Sequence, residues 1–272
     1  MAGSKLAEAI KSGQFVITAE CRPPRGAGAD IFKSFATGLG SAVQAISAPE
    51  SEDGVRQCSL AACGHLLAAG AEPILHLLTR DMNRIALQAN ILGAASMGIK
   101  NILCTSGRHQ ALTSSGTAKG VNDVDPIQLL QIADAMRKEG RLADGQMLDS
   151  PVDLLLGTDV NPFADPMELH VLTLERTIAA GADFVITQPV FDLARFGSWM
   201  EQVRGRGLHQ QVSIIASVLA AIPQDVADKY KYYTPGPGAE DIILGLRKVD
   251  GVRGIHLMTG DDFELARKLS GS

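Results

Sequence analysis

The chain has 272 residues, 46% of them hydrophobic and 20% charged, with a formal net charge of -5. This composition excludes disorder, collagen and long coiled coils, and the acidic balance argues against a nucleic-acid binder, which needs a basic footprint. No apolar run reaches the roughly 18 residues of a transmembrane helix, and the start, MAGSKLAEAIKSG, lacks the apolar stretch of a signal peptide. Four cysteines, Cys21, Cys58, Cys63 and Cys104, are too scattered for a disulfide framework and read as free thiols of a cytoplasmic protein. With aromatics at only 4%, the core must come from Ala, Leu, Ile and Val, which suits a buried parallel sheet.

In chain order, eight short apolar runs read as strands: Phe15 to Ala19, Ala42 to Ile46, Pro73 to Leu78, Asn101 to Cys104, Val152 to Leu156, Phe184 to Ile186, Val212 to Ala216 and Val252 to Leu257. Each is nearly continuous, as expected for a strand covered on both faces. Helical spacing runs over Gln57 to Ala69, Asn83 to Met97, Ile127 to Lys138, Glu168 to Ala180 and Asp262 to Leu269. The first four stop at or near glycines, Gly70, Gly98, Gly140 and Gly181, the common C-terminal stop. Eight strands alternating with helices predict a single (β/α)8 TIM barrel domain over residues 1–272. A doubly wound open sheet is the structural alternative. It usually carries a Gly-rich phosphate loop after the first strand, where this chain has Pro23-Pro24-Arg25-Gly26.

In a barrel the site lies at the C-terminal strand ends. Those ends supply Glu20, Ser47, Thr79 to Asp81, Thr105 to His109, Asp159, Asn161, Gln188 and Thr259. Glu20 closes an apolar strand and can be a general acid whose pKa is raised by partial burial; on spacing alone a solvated strand end accounts for it equally well. His76 lies among leucines, where a satisfied core histidine is the commoner role. Gln188 can donate to and accept from a heterocycle edge, or cap a loop. Cys104 to His109 offers hydroxyls, a backbone nest at Gly107 and a cation, suited to a phosphate or a flavin carbonyl, or it is a plain turn. The Ser/Thr/Gly-rich stretch from Gln110 to Asp125 is long for a βα loop and reads as a lid. Cys58, Cys63 and His65 lack zinc spacing. Lys229 to Tyr233 reads as a helix end before a turn at Pro235 to Gly238.

Several segments, in order, resemble the 5,10-methylenetetrahydrofolate reductase family. Phe15-Val-Ile-Thr-Ala-Glu-Cys-Arg-Pro-Pro-Arg-Gly26 is similar to its first-strand motif, and Glu72 to Arg84 followed by Ile99 to Arg108 to its third and fourth units. Gly181-Ala-Asp-Phe-Val-Ile-Thr-Gln-Pro-Val-Phe-Asp192 is similar to its sixth-strand signature, and Asn161-Pro162 fits the short, acetogen-like form. The resemblance implies reduction of methylene- to methyl-tetrahydrofolate with FAD. By matched position it makes Glu20 the acid that protonates N10 and opens the ring to an iminium. Gln188 hydrogen-bonds the folate, with Phe191 and Arg108 near the substrate. Ser47, His76, Thr105, Ser106, Gly107, Asn161 and Arg176 line the flavin.

Two positions depart from the family's pattern. Arg108 stands where an Asp is usual, and Thr177 where a Lys is common. A cation at 108 would favour the anionic reduced flavin and raise its potential. The segment Ser217 to Ile222 is also altered. These departures keep alternatives open: a tetrahydrofolate-dependent methyltransferase, a flavin-free reductase on the same barrel, or a non-catalytic folate- or flavin-binding subunit of a redox complex. The expected electron donor is NAD(P)H or an external protein, with no membrane or nucleic-acid partner, and a homo-oligomer is left open.

Overall fold

The computed structural model describes residues 3–50, 54–220 and 238–272. Its elements are α1 (Lys5–Ser12), β1 (Val16–Glu20), α2 (Asp30–Leu39), β2 (Ala45–Ala48), α3 (Ser59–Ala68), β3 (Pro73–Leu78), α4 (Arg84–Ser96), β4 (Asn101–Thr105), α5 (Pro126–Glu139) and β5 (Leu155–Val160), continuing with α6 (Met167–Ala179), β6 (Phe184–Thr187), α7 (Leu193–Gly205), β7 (Ser213–Leu219), α8 (Ala239–Leu246), β8 (Val252–Met258) and α9 (Phe263–Ser270). The strands close a parallel barrel in sequence order, and β8 pairs back onto β1 with His256 opposite Thr18. The expected (β/α)8 architecture is the observed one. The Lys229 to Tyr233 patch, most of the Pro235 to Gly238 turn and the end of the Ser217 to Ile222 segment lie outside the described residues.

Three strands sit differently from expectation. β2 begins at Ala45 because Gly40–Ala42 forms a 3-10 turn. β7 runs on to Leu219. β5 covers Leu155–Val160 rather than Val152 to Leu156. Asp153 is held at the barrel floor, accepting from the Gly3 amide at 3.0 Å and pairing with Lys100 at 3.2 Å, so the strand starts after it. Helices α1, α2, α7 and α8 were not among the expected elements.

Side chains alternate across a strand, so every second position faces the barrel axis. Val16, Ala45, Ile74, Leu103, Leu155, Phe184 and Ile215 make the lower interior, against Leu6, Ala7 and Ala9 of α1. Helix α1 is therefore a plug. Its N-terminal amides at Lys5 and Leu6 donate to the Glu72 carboxylate at 2.6 and 3.0 Å, and Ser4 caps Ala7 N. Gly157, inward on β5, makes room for the Phe184 ring, since a Cβ there would lie 2.4 Å from it. The outward residues of the strands pack on the helix ring in a larger second core.

A half-buried ion cluster ties α5 to the floor. Arg137 donates to Asp134 at 2.8 Å, to both Asp183 oxygens, and to the carbonyls of Leu154 and Gly181 at 3.1 and 2.8 Å. Removing one member of such a cluster strands the others. Arg137→Met is expected to cost about 3 kcal/mol, read as a lower urea midpoint with an unchanged slope; a midpoint equal to wild type would show the cluster to be dispensable.

Candidate active site

Above the apolar floor the barrel axis is polar. The same alternation turns Thr18 and Glu20 of β1, Ser47 of β2, His76 of β3, Thr105 of β4, Asp159 of β5, Ser217 of β7 and His256 of β8 inward, with Gln188 just past β6. Two hydrogen bonds order the middle layer: Ser47 Oγ with His76 Nε2 at 2.5 Å, and Thr18 Oγ1 with His256 Nδ1 at 2.8 Å. The imidazoles are 6% and 3% exposed. Burial, reinforced for His76 by the nearby His256, lowers the pKa of His76 to about 3, and burial lowers that of His256 to about 4. Both rings are thus neutral at pH 7. His76 Nδ1 is buried with no hydrogen-bond partner among the described residues.

Glu20 ends β1, half-buried and two residues above Thr18 on the same face. Closed strand order puts β5 and β6 across the barrel from it. There, the Thr105 hydroxyl neighbours the Asp159 carboxyl, and Gln188 Nε2 approaches Asp159 Oδ2 at 3.5 Å. Burial raises the Asp159 pKa.

The rim after β4 is a tight turn. Gly107 N donates to Thr105 Oγ1 at 3.3 Å with φ 69°, and a Cβ there would lie 2.8 Å from Leu78 Cδ2. Only glycine meets both constraints. Ser106 and Arg108 are exposed. The Arg108 carbonyl is fixed by the buried Arg80, which donates to it at 2.7 Å while clasping Asp81 at 2.8 and 2.7 Å. Asn161 is exposed above β5, its Oδ1 accepting from Phe163 N at 2.9 Å. Phe191 stands at the rim, 39% exposed.

Glu20, Ser47, His76, Thr105 and Gln188 thus converge on one mouth, with Ser106, Gly107, Arg108, Asn161 and Phe191 around it. Arg176 is not brought there. It is exposed in the last turn of α6, and the chain reaches the floor end of β6 within a few residues, because barrel helices run antiparallel to the strands. Thr177 is buried beside it in the same turn. Thr18, Ser217 and His256 also face the barrel axis here, and the strand-end reading did not include them. The period of two in Val16-x-Thr18-x-Glu20 carries the signal for the first.

His65 stacks on Phe32 at 5.4 Å. Cys21, Cys63 and Cys104 are buried; burial pushes the Cys63 thiol up to about 12 and the other two higher still, while Cys58 is exposed.

The methylenetetrahydrofolate reductase family model matches residues 5–230, most of the chain. This chain belongs to that family. No curated protein matches it. Among solved structures, an uncharacterized protein from Clostridium thermocellum that binds two copies of 5-methyl-5,6,7,8-tetrahydrofolic acid is 13% identical, with a TM-score of 0.68 over 97% of both chains. An oxaloacetate acetylhydrolase (11%, TM-score 0.58, 98% of this chain and 84% of that one) and a 2,3-dimethylmalate lyase (12%, 0.57, 93% and 79%) are also similar. At these identities the likeness to solved structures is one of fold, and the family member shares its barrel with lyases as well as with a folate binder. No helix among the described residues is long and apolar enough to cross a membrane.

Proposed function

We propose that the protein reduces 5,10-methylenetetrahydrofolate to 5-methyltetrahydrofolate with a bound flavin. The observation that carries this reading is the placement of Glu20 across the barrel mouth from Gln188, within a family of folate reductases. The fold neighbour that binds 5-methyltetrahydrofolic acid supports the substrate class.

In this reading Glu20 donates a proton to N10, the N10–methylene bond breaks, and the electron pair stays with N10. The methylene carbon remains on N5 as an iminium, which accepts a hydride to become the methyl group. Reduced flavin, when bound, supplies that hydride. Gln188 positions the pterin and Phe191 covers it at the rim; Arg108 stands by the same opening.

The wall from β2 to β4 fits an oxygen-rich heteroaromatic ring. It carries His76, whose Nδ1 has no hydrogen-bond partner among the described residues, the Ser47 hydroxyl, and the backbone turn at Thr105 to Gly107 packed on Leu78. Ser106 and Asn161 extend that wall to the rim. Arg176, on the outer layer, is outside this group.

The test is a pair of titrations, FAD followed by its visible spectrum and 5-methyltetrahydrofolate followed by calorimetry. Both are expected to bind, with His76→Ala weakening FAD alone. A protein that takes up neither overturns the reading.

A further inference from the structure

A half-buried carboxylate without a cation needs a reason, since desolvation penalises its charge and proteins normally pair it. Asp159 is such a group. No cation pairs with it among the described residues, and its neighbours are Thr105 and Gln188. An asparagine would have the same two neighbours without the cost of a charge. The carboxylate offers about four acceptor sites. Thr105 lies beside the carboxylate, and the Gln188 contact, at 3.5 Å, is at the limit of a hydrogen bond. The remaining capacity faces the mouth, because Asp159 is inward on β5, two residues above Gly157.

The sites beside it are fixed. Cys104 pairs with Thr158, so Thr105 stands beside Asp159; Asp159 pairs with Ile186, and Gln188, just past β6, stands above that pair with its side chain reaching down to the Asp159 carboxyl. The Gln188 backbone is held by its N–H, which donates to Val160 O at 2.8 Å. The wall thus presents two acceptors from Asp159 next to a donor from Gln188 Nε2. The complementary ligand edge has two adjacent N–H donors followed by a carbonyl. A 2-amino-4-oxopyrimidine has that edge, with its amino group and N3–H meeting a carboxylate in a bidentate pair.

We propose that Asp159 is the specificity-determining residue of the mouth, reading the 2-amino and N3–H donors of the pterin while Gln188 donates to its 4-oxo group. The inference rests on the folate reading above. It adds the direction in which the ring enters: pyrimidine edge on the β5–β6 wall, reactive end toward Glu20 on β1. The raised pKa of Asp159 agrees with a carboxylate whose compensation comes from a ligand.

The test compares 5-methyltetrahydrofolate with its 2-desamino-2-methyl counterpart by calorimetry, on wild type, Asp159→Asn and Asp159→Ala. Thermal melts confirm that the variants are folded. Wild type is expected to bind the parent about 10- to 100-fold more tightly than the analogue. Both variants are expected to weaken the parent, which gives Asp159 two donors, more than the analogue, which keeps only N3–H, so that discrimination collapses. Wild type binding both ligands equally, a variant retaining wild-type affinity for the parent, or equal losses for both ligands would overturn the assignment and leave the folate reading intact. The wild-type comparison stands even if a variant fails to fold. Failure of wild type to bind either ligand removes the folate reading, and the assignment falls with it.

Discussion

Glu20→Gln is expected to lower turnover of methylenetetrahydrofolate by about 100- to 10,000-fold, the usual worth of a positioned general acid, while the Kd for 5-methyltetrahydrofolate stays within a few-fold. The amide keeps the size and hydrogen-bonding reach of the carboxyl but has no proton to give N10. Glu20 sits at the end of β1 on the inward face, so the substitution touches the mouth and leaves the floor cluster alone. Single-turnover kinetics beside calorimetry separate the two effects. Equal loss of binding and turnover would make Glu20 a binding group, and unchanged turnover would remove it from the chemistry.

The second large effect is on stability. His76 and His256 have folded pKa values of about 3 and about 4, against 6.5 for the free side chain. The unfolded chain therefore binds more protons than the folded one below pH 6.5. The stability of the neutral pair is fully present above that pH and is lost as pH falls toward the folded values. The extra protons bound by the unfolded state make stability fall with pH through that window, most steeply at about pH 5. Urea midpoints across that window should fall steeply, and His256→Gln or His76→Gln should each remove about half of the slope. Midpoints that are flat from pH 6 to pH 4 would mean that the imidazoles take up protons in the folded barrel.

The barrel was legible because buried parallel strands read as continuous apolar runs. Pro73–Leu78 is such a run, buried throughout, and its predicted bounds are the observed ones. The same rule misplaced β5. Thr158 and Asp159 look like a loop, yet Thr158 turns outward to donate to Cys104 O and Asp159 turns into the mouth. A polar barrel mouth disguises the upper half of its strands as turns.

The unexpected helices carried a signal in their aromatic spacing. Phe32, Phe35 and Leu39 on α2, and Phe196, Trp199, Met200 and Val203 on α7, follow the helical repeat and are buried. The hydrogen bond between Thr18 and His256 joins residues at opposite ends of the chain, a juxtaposition that only barrel closure creates. Arg176 shows the converse: a motif match sets a position along the chain, but the antiparallel run of α6 decides which end of the barrel that position occupies.

The most direct measurement is anaerobic: protein loaded with reduced FAD is mixed with 5,10-methylenetetrahydrofolate while the visible flavin band and the folate products are followed. The predicted result is return of the oxidised band together with an equal amount of 5-methyltetrahydrofolate. A protein that binds the folate while the flavin stays reduced and no methyl product forms would contradict it.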